Sequence, residues 1–307
     1  MSYFLIIGKQ ILVVLMMLAT GYYCGKKKIF DDRTIAGINQ FVMTFVMTCT
    51  AIIGFQVPFS AARLQELGLG YVIAIFLHFF NLGFTLLFFR KRAADERNAI
   101  AISSTLTNAG FIGYPMMIAL IGADGIFYGL PHTTTMGIFA WTVGVALISG
   151  NRKNASLKNV LTTPAILGTA AGFLLFLLSI ELPEVIAIFM EDIAAMNMPL
   201  PVMIIGYFLS KVDFRKTVRK RILWESALFR LVVLPIIGIA ILYLAGLRGN
   251  MLLAATIADA TPPAAIVTIL ATKFQKNTEE MSEIVSFETM LSAITLPLIA
   301  MVIGQLA

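Results

Sequence analysis

Charged residues are scarce in this sequence, and so are the residue types from which most catalytic and metal centres are built. Charged side chains make up 13% of the 307 residues, about half the share that is usual in soluble domains. The chain has two histidines and two cysteines, and 59% of it is hydrophobic. It contains no zinc-ligand cluster, Walker loop, dinucleotide fingerprint or nucleophile elbow. We therefore expect a membrane protein that is not an enzyme and that carries no metal and no cofactor.

The few cysteines and the basic net charge exclude further classes. Cys24 and Cys49 lie in or beside apolar runs at different depths, so a disulfide framework is not expected. A net charge of +6 would favour nucleic-acid binding in a soluble protein, but these charges lie in short loops between apolar runs. No nucleic-acid partner is expected. The first apolar run ends in three lysines without a cleavage pattern, which favours a retained transmembrane helix over a signal peptide.

Apolar runs of the length that a bilayer requires, about 20 residues, recur along the whole chain. We place ten spans at 4–24, 35–57, 68–89, 98–121, 127–149, 160–181, 192–210, 225–246, 251–272 and 284–305. The loops between them are short, and no soluble domain or long linker is found. The sequence therefore predicts an all-α, multi-pass membrane protein.

Basic residues are concentrated in every second loop. The loops after the odd-numbered spans hold 19 of the 23 lysines and arginines. These are Lys26, Lys27, Lys28, Arg33, Arg90, Lys91, Arg92, Arg97, Arg152, Lys153, Lys158, Lys211, Arg215, Lys216, Arg219, Lys220, Arg221, Lys273 and Lys276. Because cytoplasmic loops attract lysine and arginine, we expect these loops in the cytoplasm, both termini outside it, and the protein in the plasma (cytoplasmic) membrane.

Ten spans divide into two sets of five, at residues 1–150 and 151–307. Since five is odd, the second set starts on the opposite side of the membrane, and any similarity between the sets is an inverted repeat. Residues 35–41 at the start of span 2 resemble residues 193–199 at the start of span 7. Residues 105–109 in span 4 resemble residues 256–260 in span 9. Both pairs occupy equivalent positions in the two sets, which favours an inverted repeat.

Spans 4 and 9 each contain a helix-breaking segment. Residues 108–115 hold Gly110, Gly113 and Pro115, and residues 259–263 end in two adjacent prolines. Glycine weakens a helix, and proline removes a donor and clashes with the preceding turn. Interrupted helices at matching positions of inverted repeats point to a transporter binding site, where half-helix N-termini attract an anion. The alternative is a pair of kinks that only aid packing.

Buried polar residues within the spans offer candidates for ion coupling. Asp259 is the acid nearest the middle of a span, and charged groups at that depth are typically functional; the alternative is a hydrated position near the outer interface. His78 and Asn81 share one helix face. His78 is either a packed histidine or part of a relay. We expect Glu288, one turn into span 10, to be hydrated, and Arg230 to snorkel and pair with Glu225.

Asparagines open spans 2 and 7. Asn39 and Asn197 occupy corresponding positions. Such residues either form interhelical hydrogen bonds or line the substrate path, and the sequence leaves both possibilities open.

Several of these segments together resemble the auxin efflux carrier family, whose bacterial members are described as malate or malonate permeases. The resemblance covers nearly the full length and rests on Gly21-Tyr22, Asn39, Asn108 to Pro115, Gly206, Thr261-Pro262-Pro263-Ala264 and Thr295-Leu296-Pro297-Leu298. It departs at Met47-Thr48, where the family usually has Leu-Pro and where a kink in the pocket wall is lost. The long cytoplasmic loop of the plant carriers is also missing.

The resemblance implies a fold like that of the sodium–bile acid symporters, with spans 4 and 9 crossing at their breaks. Spans 1, 2, 6 and 7 would form a scaffold, usually dimeric, and spans 3–5 and 8–10 a moving transport part. We therefore expect a secondary transporter that moves a small organic anion, such as a carboxylate, by an elevator-like alternating-access mechanism. A cation/proton antiporter on a similar scaffold is the alternative.

The predicted substrate site combines the breaks with the two asparagines that open spans 2 and 7. Its residues are Asn108, Gly110, Gly113, Pro115, Asp259, Thr261, Pro262, Pro263, Asn39 and Asn197. Asp259 and His78 are the candidates for coupling to a proton or to sodium. The expected partners are the organic anion, the coupling ion, membrane lipid and a second copy of the chain.

Overall fold

The computed structural model describes residues 3–155, 157–211, 218–276 and 278–306. Arg215 and Lys216, which the sequence assigns to a cytoplasmic loop, lie outside these residues. Helices dominate the described chain, and the only β-type pairing within it is an isolated bridge between Thr107 and Pro263. The all-α class is therefore confirmed.

The helices follow one another along the chain with short connections. The first eight are α1 (Tyr3–Lys26), α2 (Asp32–Phe41), α3 (Met47–Gly54), α4 (Ala61–Phe88), α5 (Ala94–Thr105), α6 (Tyr114–Ile121), α7 (Asp124–Phe139) and α8 (Val145–Ser149). The others are α9 (Leu157–Leu161), α10 (Pro164–Leu177), α11 (Glu184–Ala195), α12 (Pro199–Lys211), α13 (Arg221–Leu228), α14 (Leu234–Leu244), α15 (Gly249–Ala260), α16 (Ile266–Phe274) and α17 (Thr278–Leu306).

Short π-helical turns join or extend several of these helices. They lie at Val42–Val46, Ala109–Gly113, Ala140–Gly144 and Phe229–Val233. A π turn widens the helix locally and frees backbone groups, and such turns are frequent at functional sites. The turn at Ala109–Gly113 leads into α6 and contains both glycines of the predicted break.

Five helical stretches of the described chain are long and apolar enough to cross a membrane. They are Asp32–Gly54, Ala61–Phe88, Glu184–Lys211, Arg221–Leu244 and Thr278–Leu306. Shorter apolar helices lie at Leu12–Lys26, Ala109–Ile121 and Pro164–Leu177. The chain is therefore a multi-pass membrane protein.

Polar residues at the loop–helix boundaries explain where several helices begin. The Asp31 carboxylate accepts a hydrogen bond from the Thr34 backbone N–H at 2.7 Å and caps α2. The Ser60 hydroxyl accepts one from the Arg63 N–H at 3.1 Å and caps α4. Each cap satisfies a donor that the first helical turn leaves free. These caps fix the entry of the chain into two of the long apolar helices.

Helices α1 and α12 pack with their backbones in direct contact. A Cβ atom on Gly21 would lie 2.0 Å from the Met203 carbonyl oxygen, and one on Gly206 would lie 2.1 Å from the Leu18 carbonyl oxygen. Only glycine permits this approach, which is typical of helix pairs in membranes. The two glycines, both part of the resemblance described above, therefore fix the spacing of this helix pair.

Replacing Gly206 by alanine will force α1 and α12 apart. We expect a loss of about 1–3 kcal/mol in the free energy of unfolding, the usual cost of overpacking. Gly83→Ala in α4 is the matched control, because a Cβ atom there meets no atom within 4 Å. Thermal unfolding of the purified variants in detergent measures the difference. Equal stability of the two variants would contradict this account of the helix pair.

Candidate functional site

The two predicted helix breaks lie side by side. Helix α5 ends at Thr105 and α15 ends at Ala260, and the segments that follow them are extended. The Asn108 N–H donates to the Pro262 carbonyl at 2.8 Å, and the Ala264 N–H donates to the Leu106 carbonyl at 2.8 Å. The two segments therefore form a short antiparallel pair, hereafter the crossing (residues 106–108 and 261–265).

Proline explains why the second segment pairs in this way. Pro262 and Pro263 have no N–H, so the Pro262 carbonyl and the N–H of Ala264 make the hydrogen bonds to the first segment. Backbone groups in a membrane must find partners within the protein, and at the crossing each break supplies partners for the other. The crossing is therefore a joint feature of the two halves of the sequence.

Four helix ends converge at the crossing. The C-terminal ends of α5 and α15 lead into it, and the π turn before α6 and the start of α16 lead out of it. Helix N-termini carry partial positive charge and C-termini partial negative charge. An anion can therefore be held at the N-terminal ends without a basic side chain.

Arg230 binds the carbonyls that the break after α15 leaves free. Its Nη2 atom donates to the carbonyl of Asp259 at 2.5 Å and to that of Thr261 at 2.6 Å, and its side chain is 0% exposed. A cation at a helix C-terminus is favourable. The prediction that Arg230 snorkels and pairs with Glu225 is wrong. The Glu225 carboxylate instead accepts from Arg92 and Arg221.

Asp259 lies in the protein interior and not at a hydrated interface. Its side chain is 2% exposed, and its Oδ1 atom accepts from the Asn81 amide of α4 at 2.7 Å. Its Oδ2 atom has no hydrogen-bond partner and faces Gly238 of α14, where a Cβ atom would lie 3.2 Å away. The alternative that the sequence left open, a hydrated Asp259, is therefore excluded.

Two buried histidines stand beside the crossing. The rings of His78 and His132 lie 4.6 Å apart between centroids. His132 Nε2 is 2.9 Å from the Thr107 hydroxyl, and His78 Nδ1 is 2.7 Å from the Ala74 carbonyl. The sequence analysis missed His132. Its position directly after Pro131 in an apolar helix was the signal that could have found it.

Two cavities reach the crossing, and Asn108 lines both. The larger cavity, about 630 Å³, lies among α2, α12, α16 and α17, and its lining includes Asn39, Pro263 and Lys211. The smaller cavity, about 330 Å³, has Gly110 and Asn197 in its lining, together with threonines, methionines and Trp141. Within the described chain, no lysine or arginine lines the smaller cavity.

The Asn108 side chain is the polar group that both cavities share. It is buried at the edge of the crossing, and its backbone is fixed by the bond to Pro262. Within the residues that the structure describes, no hydrogen bond occupies its side-chain amide, which is thus available to a solute in either cavity.

The predicted site residues divide into two groups. Those that line a cavity are Asn108, Gly110, Asn197, Asn39 and Pro263. Those packed behind or within the crossing, and not among the cavity-lining residues, are Gly113, Pro115, Asp259, Thr261, Pro262 and His78. The structure therefore brings the backbone breaks and asparagines together at the cavities, and separates Asp259 and His78 from them.

Asn197 connects two parts of the chain at this site. Its Nδ2 atom donates to the Gly110 carbonyl at 2.7 Å, across 87 positions of sequence. The acceptor belongs to the π turn before α6, where helix geometry leaves carbonyls free.

In the described residues, no group of three or more histidine, cysteine or acidic side chains is arranged to hold a metal ion.

Comparison with known proteins gives a consistent family assignment. A family model described as "Membrane transport protein" matches residues 6–300. An uncharacterized transporter of Methanothermobacter thermautotrophicus is 22% identical over 300 residues, which cover 96% of this chain and 98% of that protein. An uncharacterized transporter of Methanocaldococcus jannaschii is 22% identical over 304 residues, which cover 94% of this chain and 96% of that protein.

Proposed function

Because this chain belongs to the membrane transport protein family, we propose that it is a secondary transporter of a small organic anion with its binding site at the crossing. The family assignment confirms the resemblance to the auxin efflux carriers and establishes that the protein is a membrane transporter. The substrate class, the mechanism and the site residues are the proposal. The observation that carries it is the convergence of half-helix N-termini and a free Asn108 amide on two cavities.

The proposed architecture is ten transmembrane helices in two inverted five-helix repeats, at residues 1–150 and 151–307. It is supported by the pairing of one break from each set in a single crossing. In this arrangement both termini are extracytoplasmic, and two copies of the chain form a dimer through the scaffold. The chain lies in the plasma (cytoplasmic) membrane.

No lysine or arginine of the described residues lines the smaller cavity, which favours a particular mode of anion binding. A carboxylate there is held by backbone N–H groups at the start of the π turn Ala109–Gly113 and of α16, and by the Asn108 amide. Such dipolar binding attracts an anion without a buried lysine or arginine, whose own burial would be costly. It also allows release of the anion, because the anion does not have to separate from a fully charged side chain.

Alternating access requires the transport part to move against the scaffold. In the proposed division, Asn197 belongs to the scaffold and Gly110 to the transport part, so their hydrogen bond holds the present arrangement. Replacing Asn197 by alanine removes a bond worth about 0.5–1.5 kcal/mol. We expect the conformational equilibrium to shift away from this arrangement by about 2- to 10-fold.

The shift is measured by alkylation of Asn39→Cys, which lines the larger cavity, with an impermeant maleimide. The background lacks the two native cysteines, Cys24 and Cys49. Asn197→Ala will slow alkylation about 2- to 10-fold. Thr169→Ala is the control, because Thr169 lines the smaller cavity but donates only within its own helix, to Ala165. Unchanged or faster alkylation in Asn197→Ala would show that the hydrogen bond between Asn197 and Gly110 does not hold the present arrangement.

Coupling to a proton or to sodium completes the proposal. Asp259 and His78, the coupling residues predicted from the sequence, both lie in the buried region behind the crossing. Their separation from the cavities favours ion coupling in the transport part over coupling in the substrate path. The two processes are then linked by the movement of that part.

Uptake by proteoliposomes tests the proposed function. Purified protein is reconstituted, and the uptake of labelled dicarboxylates, such as malate, and of labelled aromatic acids is measured against protein-free liposomes. We expect saturable uptake of at least one of these anions. Pro263→Ala protein, if folded, will transport more slowly, because Pro263 shapes the crossing and lines the larger cavity. Normal transport by that variant argues against the crossing as the site.

A cation/proton antiporter is the second candidate, and the buried Asp259 is the observation that favours it. Such a protein would exchange protons for a cation without any organic anion. Liposomes loaded with a pH-sensitive dye distinguish the two functions on addition of sodium. A sodium-dependent change in internal pH without anion transport would replace the first proposal by the second.

A further inference from the structure

Three ionisable side chains are buried together behind the crossing. Arg230 lies on the π turn between α13 and α14, Asp259 is in the last turn of α15, and Glu288 is in α17. Arg230 and Glu288 are 0% exposed. The prediction of a hydrated Glu288 is therefore wrong. Arginine stays protonated in proteins, so the set would carry one net negative charge with both acids ionised. Uncompensated charge at such depth is costly.

Asp259 is the acid beside which Arg230 is held. The guanidinium binds the carbonyls of Asp259 and Thr261, which fixes it beside the last turn of α15. Among the described residues, no hydrogen bond or ion pair joins Arg230 to the Glu288 carboxylate, which accepts from Ser226 instead. The Asn81 amide adds a hydrogen bond to the Asp259 carboxylate. Glu288 is therefore the acid that is left without a counter-charge.

The surroundings of Glu288 can satisfy both of its protonation states. Its Oε1 atom is 2.5 Å from the Ser226 hydroxyl, and its Oε2 atom is buried without a hydrogen-bond partner. A hydroxyl donates to an ionised carboxylate and accepts from a protonated one.

Neither histidine supplies the positive charge that Glu288 lacks. Both are buried, and a positive charge on either ring would be costly at that depth. His78 Nδ1 lies 2.7 Å from the Ala74 carbonyl and His132 Nε2 lies 2.9 Å from Thr107, which a neutral imidazole satisfies. A proton that balances the buried set therefore belongs on the unpaired acid.

We propose that Glu288, in place of Asp259 or His78, holds the exchangeable proton, so that the set of Arg230, Asp259 and Glu288 is neutral when loaded and carries one negative charge when empty. The proton comes from water on one side of the membrane and returns to water on the other. Ser286 and Thr289, which flank Glu288 in α17, line the larger cavity, so water there reaches the same helix. The coupling role of this proton rests on the proposed transport function, whereas its presence on Glu288 does not.

Infrared difference spectroscopy of the purified full-length protein tests the proposal without a substrate. Near neutral pH we expect a C=O stretch of a protonated, buried carboxyl group that shifts in D₂O. Glu288→Gln will lose this band, and Asp259→Asn will keep it. Glu191→Gln, an exposed acid on α11, is the matched control and will also keep it. In wild-type protein labelled with ¹³C-glutamate, the band will be shifted. This measurement assigns the band to a glutamate even if Glu288→Gln does not fold.

Two spectroscopic outcomes overturn the proposal. A band that is unmoved by ¹³C-glutamate and lost in Asp259→Asn places the proton on the aspartate. The absence of any such band means that both acids are ionised and that the set holds no proton.

A transport measurement tests the coupling separately. In proteoliposomes, malate uptake by the wild type will be stimulated by an imposed pH gradient, and Glu288→Gln will exchange malate at equal pH but lose that stimulation. Stimulation that persists in Glu288→Gln overturns the coupling role. If neither protein takes up malate, the result counts against malate as the proposed substrate. The infrared result then decides where the proton lies.

Discussion

Replacing Arg230 by methionine will destabilise the folded protein by about 2–6 kcal/mol, because two buried carbonyls lose their donor at about 1–3 kcal/mol each. The variant leaves the carbonyls of Asp259 and Thr261 without their shared donor, and it removes the buried positive charge beside Asp259. Methionine fills a similar volume, so the loss reports on charge and hydrogen bonds. Thermal or denaturant unfolding in detergent measures it.

Arg221→Met is the matched control for this prediction. Arg221 also pairs with an acid, Glu225, but its side chain is 89% exposed, and exposed pairs contribute about 0–1 kcal/mol. Combining Arg230→Met with Asp259→Asn will recover part of the stability, because the second change removes the uncompensated carboxylate. Wild-type stability of Arg230→Met would show that the break after α15 does not depend on the buried cation.

Replacing Asn108 by alanine will abolish most transport while the protein still folds. The Asn108 amide faces both cavities and is free to bind a solute, whereas the backbone of the crossing is fixed by main-chain bonds that alanine preserves. A hydrogen bond to a charged group is worth about 1.5–3 kcal/mol. We therefore expect the transport efficiency to fall by about 10- to 150-fold.

Two further variants sharpen the test of Asn108. Asn108→Asp keeps the shape but adds a negative charge beside a bound carboxylate, so it will transport an anion no better than Asn108→Ala. Asn250→Ala, an exposed asparagine in the first turn of α15, will transport normally. Liposome uptake and a melting curve on each variant separate a loss of binding from a loss of fold. Asn108→Ala that folds and transports at the wild-type rate removes Asn108 from the site.

The breaks could be predicted from the sequence because glycine and proline act locally. Gly110, Gly113, Pro262 and Pro263 each disfavour a helix through their own backbone chemistry, and the helices end at these segments. The pairing of the two breaks was predicted only through the family resemblance. Nothing in the local chemistry of residue 107 specifies a partner at residue 263.

The buried charges could not be predicted because their partners are distant in sequence. Glu225 lies one turn from Arg230, which favoured a local pair, whereas the true acceptors are 29 and 31 positions away. Asn81 and Asp259 are 178 positions apart. Their contacts depend on tertiary packing, which periodicity and charge patterns do not specify.

The depth of Glu288 was misjudged for a different reason. The apolar span was placed at 284–305, which put Glu288 one turn from the membrane surface. Helix α17 begins at Thr278, so the polar residues before the span are also helical and Glu288 lies about ten residues into the helix. The boundary of an apolar run therefore gave the wrong position for the helix end.

A structure of the protein with bound substrate tests the central claim most directly. The protein is incubated with the anion that the liposome assay identifies, and the map is examined at the crossing. We predict density in contact with the Asn108 side chain, with its carboxylate at the start of the π turn Ala109–Gly113 or of α16. Density for the anion elsewhere, such as the pocket formed by Phe88, Phe229 and Val233, with none beside Asn108, would contradict it.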